Sequence, residues 1–261
     1  MNRRAARCIL ALGFLASALS LPGVSRAQAE REDSLGMRHH EYHSPQNWAA
    51  EIRFSAYRPR IDDDPALGGT NPYATVFGPG QPLMLAAEFD WQAYRIPHVG
   101  TIGPGLSIGY WENSANASFV MPHNGSTISG ETTKLEIFPF YAVAVFRADV
   151  FWRELRVPFV PYAKAGVALG IWRASNTLGT SSYQGSSGTG GTWGYDLSAG
   201  LALNLNWLDE YSARNFDESM GVNNTYLFAE GTLLDLSGLG IQSNVLRVGG
   251  RTWTFGLAFE F

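Results

Sequence analysis

Residues 252–261 read Thr-Trp-Thr-Phe-Gly-Leu-Ala-Phe-Glu-Phe. Every second residue is large and apolar: Trp253, Phe255, Leu257, Phe259 and Phe261. Thr254, Gly256, Ala258 and Glu260 stand between them. A strict period of two marks a β-strand with two unlike faces, whereas a helix returns its apolar residues every three or four positions.

The same alternation recurs seven times upstream. Residues 48–57 set Trp48, Ala50, Ile52, Phe54 and Ala56 against Glu51, Arg53 and Ser55. Residues 83–92 set Leu83, Leu85, Ala87, Phe89 and Trp91 against Glu88, Asp90 and Gln92. Residues 101–111 set Ile102, Leu106 and Ile108 against Gly103, Gly105, Ser107 and Gly109. Over 134–146, Leu135, Ile137, Tyr141, Val143 and Val145 are assigned the apolar face, opposite Lys134 and Glu136. Residues 161–172 and 193–206 place Lys164 and Asp196 among glycine, alanine and serine, opposite Val167, Leu169 and Leu197, Leu201. In the weakest segment, 225–234, Glu230 fixes the polar face and leaves Leu227, Ala229 and Leu233 on the other.

Eight strands of about ten residues match the 9–11 residues of a tilted strand that crosses a bilayer. The fold expected is all-β: an eight-stranded antiparallel up-and-down transmembrane β-barrel over residues 48–261. Residues 58–82, 112–133, 173–192 and 235–251 read as the longer loops on one side. On the other side 147–160 and 207–224 are longer than tight turns, and 208–220 reads as a short helix closed by Gly221. Pro104 and Pro139 fall inside strands, where each removes a ladder hydrogen bond. A projection beyond the bilayer, a bulge, or a strand split in two would accommodate them.

A soluble barrel would alternate as well, with its apolar face inside. Two features favour the reverse. The polar faces combine small residues with charge, which suits a narrow lumen filled by side chains. Glu51, Arg53, Glu88, Asp90, Lys134, Glu136, Lys164, Asp196, Glu230 and Glu260 are the expected lumen network. Acids outnumber bases in it, which calls for further arginines or water. The eight tryptophans fall near strand ends. Trp48, Trp91, Trp152 and Trp207 are assigned to one rim, and Trp111, Trp172, Trp193 and Trp253 to the other, as two interfacial girdles.

The stretch 252–261, ending in Phe261, resembles the C-terminal strand of Gram-negative outer-membrane proteins. With the eight strands, the chain is similar in architecture to the small outer-membrane β-barrels of the OmpA-like and OmpX-like kind. The resemblance implies that Phe259 and Phe261 are read by the barrel-assembly machinery, with periplasmic chaperones acting beforehand. It implies outer-membrane lipid as the surroundings, and it identifies no activity.

The N-terminus agrees. Arg3, Arg4 and Arg7 precede an apolar run from Cys8 to Leu21, and Ala27-Gln28-Ala29 offers a small-x-small cleavage site. Residues 1–29 are expected to be a secretory signal, and 30–47 a flexible arm bearing His39, His40 and His43. Removing the signal takes away four of 19 basic residues and none of 23 acids. Only Lys134 and Lys164 are lysines, so a nucleic-acid partner is excluded for want of a basic stripe. Cys8 is the single cysteine and leaves with the signal, so no disulfide or thiol chemistry is expected. Charged residues make up 16% and glycine 29 of 261, a balance foreign to a disordered polyelectrolyte.

No constellation carries chemistry with conviction. His123 with Ser126 lacks an assignable acid and matches no acyl-hydrolase spacing. Asp62, Asp63 and Asp64 are hard ligands without the spacing of a calcium loop. The expected protein is non-enzymatic, without cofactor or metal, and serves envelope structure or surface binding through its loops; the ligand is unknown. A lipid-modifying barrel enzyme, a passive pore and a soluble barrel holding an apolar ligand remain the alternatives.

Overall fold

The computed structural model describes residues 47–123, 126–183, 186–241 and 245–261. The proposed signal peptide, the arm as far as residue 46 and its histidines lie outside these residues.

Eight long strands follow in order: β1 Trp48–Ala56, β2 Leu83–Trp91, β3 Gly100–His123, β4 Ser126–Arg147, β5 Phe159–Asn176, β6 Thr189–Asn204, β7 Asn224–Asp235 and β8 Gly250–Glu260. Each pairs antiparallel with its successor. β8 then returns to β1 in the register Ala50↔Phe259 and Phe54↔Phe255. The ring is closed, so the sheet has no free edge along its circumference. At the seam the Phe261 amide donates to the Trp48 carbonyl at 2.9 Å, and the Asn47 amide donates back to the Phe261 carbonyl at 2.8 Å. The rim carrying Trp48 and Phe261 is the terminal rim; the opposite one is the distal rim.

Alternation decides what each strand buries. On β1, Glu51, Arg53 and Ser55 are buried, while Phe54 is exposed to the outside. On β2, Glu88 and Asp90 are buried and Leu85 and Phe89 are exposed. β3, β5, β6, β7 and β8 follow the same rule. β4 reverses the assignment made for it. Leu135, Ile137, Val143 and Val145 are buried in the lumen, and Phe140, Ala142 and Ala144 face outward. Both faces of β4 are apolar, so the charges at its far end were the only guide, and they point outward.

Proline and strand length also depart from expectation in instructive ways. Pro139 is buried in the lumen, and the ladder is interrupted beside it. The pairs Ile108↔Phe140 and Trp111↔Ile137 flank the gap in one unchanged register, so β4 neither bulges there nor splits. β3 and β4 run for 24 and 22 residues. β2 stops pairing with β3 at Leu85↔Tyr110, and β5 stops pairing with β4 at Lys134↔Ser175. Much of residues 112–133, expected as loop, is therefore a two-stranded hairpin that projects past the distal rim.

The distal mouth is capped. Residues 57–82 fold into two 3-10 turns and α1, Pro72–Phe77. Tyr57, Ile61 and Tyr73 from this segment pack on Trp111, Ile137, Leu234, Leu236 and Val248. The Tyr57 hydroxyl donates to the Val248 carbonyl, and the Trp111 Nε1 reaches the carbonyls of Tyr57 at 3.1 Å and Pro82 at 3.2 Å. The terminal mouth is filled by Val160, Tyr162, Tyr226, Phe228 and Ala258, with Trp152 packed against them from α2, Val150–Arg153. The expected helix before Gly221 is present as α3, Glu210–Met220, and Gly221 follows in the left-handed region at φ 70°.

Candidate functional site

Between the two apolar plugs lies an ionic core. β1 supplies Glu51 and Arg53, β2 Glu88 and Asp90, β4 Arg147, β5 Lys164, and β7 Glu230. All seven face inward and all are buried. The Lys164 ammonium bridges Glu51 at 2.7 Å and Glu88. The Arg147 guanidinium bridges Glu51 at 2.6 Å and Asp90 at 2.5 Å. Arg53 pairs with Glu88 and Glu230. Tyr162 donates its hydroxyl to Glu230 at 2.9 Å, and Thr232 donates to it at 3.1 Å. The Tyr162 ring also lies under the Lys164 ammonium, 5.3 Å from the ring centre.

Chain parity explains why the seven meet. Buried charge is tolerated only where opposite charge and hydrogen bonds surround it. Inward residues at the same height on neighbouring strands are the available partners. Glu51 and Glu88 are cross-strand neighbours of like charge, and the pair persists because Lys164 reaches it from across the lumen and Arg53 stands two residues along the same face of β1. Asp90 Oδ1 lies over Gly105, where a Cβ would come within 2.2 Å of it. Any larger residue at 105 would displace the carboxylate.

Two further polar groups flank this core. Asp196 accepts from Ser198 at 3.1 Å on β6. Glu260 accepts from Gln92 at 2.7 Å, Tyr226 at 2.9 Å and Asn224 at 3.1 Å toward the terminal rim. Arg147 Nη1 comes to 3.7 Å from Glu260 and links that group to the core.

Lys134 and Glu136 do not join them. They stand on the outer side of β4, paired with each other at 2.8 Å, and Lys134 also with Glu112 at 2.7 Å. The outside is open to solvent at that height, so charge turns outward there. Arg147 is the arginine that the charge imbalance called for. It lies at the end of β4, where the adjoining connection obscures its parity.

The tryptophans divide likewise. Trp48 and Trp91 are exposed and stacked, 5.9 Å between ring centres, at the terminal rim. Trp207 is exposed in the turn after β6, and Trp193 and Trp253 face outward toward the distal side. Trp111 is fully buried in the lumen, Trp172 packs on the same distal cluster, and Trp152 plugs the terminal mouth. These three are packing residues rather than girdle residues. Parity already separates Trp111 and Trp172 from the girdle, because they share faces with Gly109 and Gly170.

Chemically, the arrangement is nearly filled: Asp90 Oδ1, which faces Gly105, is the one oxygen of the ionic core that is buried without a hydrogen-bond partner among the described residues. Ligand atoms of Glu51, Glu88 and Asp90 lie within 4.8 Å of one another, close enough to hold a metal ion. Lys164 and Arg147 already sit between those carboxylates as their counter-charge. A void of about 10 Å³ beside Glu51, Arg147 and Glu260 has room for about one water. The three aspartates of the cap are also engaged. Asp62 accepts from the amides of Tyr73 at 2.8 Å and Ala74 at 3.0 Å, Asp63 pairs with Arg60 at 2.5 Å, and Asp64 accepts from the Ala66 amide at 3.0 Å. Burial pushes the Tyr73 phenol above its ordinary value. His123 and Ser126 are register partners at the hairpin tip.

No protein-family model and no curated protein matches the chain. Among solved structures, it is similar to Ail of Yersinia pestis in complex with the heparin analogue sucrose octasulfate. Identity there is 13% over 84% of this chain and 100% of that one, with a TM-score of 0.40. The N-terminal β-barrel domain of Pseudomonas aeruginosa OprF gives 14% identity over 83% and 98%, with a TM-score of 0.39. Ail in a phospholipid bilayer nanodisc gives 14% over 83% and 100%, with a TM-score of 0.34. The barrel itself rests on the pairing of the eight strands. The chain is a closed, eight-stranded, all-antiparallel β-barrel.

Proposed function

We propose that the chain spans the bacterial outer membrane as a sealed barrel and works without catalysis, in envelope structure or in surface binding through its distal loops and hairpin. The observation that carries this reading is the inverted distribution of polarity. Charge is concentrated at the centre, with Glu230 0% exposed, while Leu106 on the outside is 67% exposed. Soluble monomers rarely leave an apolar surface of barrel size open to water. A bilayer accepts that surface, and a closed barrel is the one sheet that can enter it with every backbone group paired. No helix among the described residues is long and apolar enough to cross a membrane.

In this reading residues 1–29 direct export and are removed. Phe259 and Phe261 of the last strand are the signal taken by the barrel-assembly machinery and chaperones. Lipid surrounds the outward side chains. The exposed tryptophans at 48, 91, 207, 193 and 253 lie at its two interfaces. The packed lumen leaves no path for solutes.

Topology is testable with cysteine, because the single native one lies within the expected signal. Leu178, between β5 and β6, and Leu155, between β4 and β5, are both exposed, at opposite rims. In intact Gram-negative cells a membrane-impermeant maleimide is expected to label Leu178→Cys at once, and Leu155→Cys only after the outer membrane is permeabilised. Equal labelling of both in intact cells would overturn the reading.

A further inference from the structure

The outside of the barrel is not evenly filled. Register places Ala163 of β5 beside Ala199 of β6, and Ala199 beside Gly231 of β7. These three residues floor an open trough of about 760 Å³. Leu197 and Leu233, themselves cross-strand partners, rise along one side. Trp253 of β8 stands opposite Gly231 and ends the trough. Arg251, two residues earlier on the same outward face and opposite Leu233, lines the same end. Arg251 is exposed, and no carboxylate among the described residues pairs with it.

The backbone does not require glycine at 231. A Cβ there would meet only the Trp253 ring, at an ordinary 3.9 Å. An inward glycine behaves differently: at Gly194 a Cβ would fall 1.6 Å from the Asp235 carbonyl oxygen. The bare backbone at 231 therefore has one visible consequence, which is to keep the trough open beside Trp253. From β5 to β8 the trough crosses three strand spacings, about 14 Å. One leaflet of the hydrocarbon core is about 15 Å thick. Strands tilt in such barrels, so a trough running across them slopes from Arg251, near the distal rim, toward mid-membrane. An apolar slot of one chain length, headed by an unpaired cation, complements an acyl chain that carries an anionic head.

We propose that this trough holds one phosphate-bearing lipid of the distal leaflet, its acyl chain over Gly231, Ala199 and Ala163 and its phosphate on Arg251. The assignment rests on the membrane reading above.

The test uses the full chain folded in detergent, with native mass spectrometry reading bound lipid. The probes are dimyristoyl phosphatidic acid and, without the phosphate, dimyristoylglycerol. The chain is expected to retain one phosphatidic acid at least tenfold more strongly than the diacylglycerol. Arg251→Gln should erase that difference. Gly231→Leu, or the milder Ala199→Val where the first does not fold, should weaken retention of both lipids at least tenfold. Ala50→Leu, outward on β1 and away from the trough, should change neither. Equal retention by all variants would overturn the site while leaving the barrel in its membrane. A dimer abolished by filling the trough would assign it to a second copy instead and also overturn it. Recovery of the chain in buffer without detergent would sink the membrane reading and this proposal together.

Discussion

Lys164 has its ammonium fully buried, bridging two carboxylates on neighbouring strands. Removing one partner of a buried ion pair leaves an uncompensated charge and costs about 3–5 kcal/mol. Lys164→Met keeps comparable volume and apolar stem but strips the charge that Glu51 and Glu88 share. Urea unfolding of the detergent-folded barrel should show a loss of about 3–5 kcal/mol. A loss below about 1 kcal/mol, the value of an exposed pair, would mean that the ionic core is hydrated and weakly held. At this scale the sequence was legible wherever parity was followed strictly. Glu51, Arg53, Glu88, Asp90, Lys164 and Glu230 each alternate with outward apolar neighbours. For Trp111 and Trp172 the face on which they fall outweighs their nearness to a strand end, and both pack in the distal cluster instead of the girdle.

At the level of elements, the distal cap is held by the Trp111 ring and its indole N–H. Tyr57 meets that ring edge-on at 5.7 Å between centres, and Tyr73 approaches at 6.4 Å. Trp111→Ala should cost about 3–5 kcal/mol, the usual range for deleting a buried large aromatic ring. It should also free residues 57–82, so that trypsin cuts after Arg60 while the barrel still shifts on heating. A cap as resistant as in the parent chain would show that Tyr57 and Val248 suffice to hold it. The cap was not legible beforehand, because Asp62 to Pro65 and the glycines after them read as solvated loop. Their hydrogen bonds instead turn the chain back over the mouth. β4 teaches the complementary lesson. Charge faces inward only at heights where the outside is apolar. Lys134 and Glu136 stand on the outer side where the hairpin leaves the barrel, and using them to orient all of β4 inverted it. The hairpin is not legible in the sequence because 112–133 is mostly polar and its apolar residues Phe119, Val120 and Met121 are consecutive, so no alternation announces a strand there.

For the molecule as a whole, the eight alternating segments were enough to specify a closed antiparallel ring, since each strand pairs with its successor and the last with the first. What alternation does not specify is the pair of apolar plugs that seal the lumen at both ends. The distal plug draws on side chains from five strands and the terminal plug on four, and both also use connections whose sequence carries no period. The central claim is that the apolar outer face belongs in lipid. Its most direct measurement is the behaviour of the purified chain in detergent and without it, run on a gel with and without boiling. A barrel held by a closed sheet should migrate as a compact band when unheated, shift to the unfolded position after boiling, and precipitate when detergent is removed. A chain that stays monomeric and folded in plain buffer, with the same mobility before and after heating, would contradict the account.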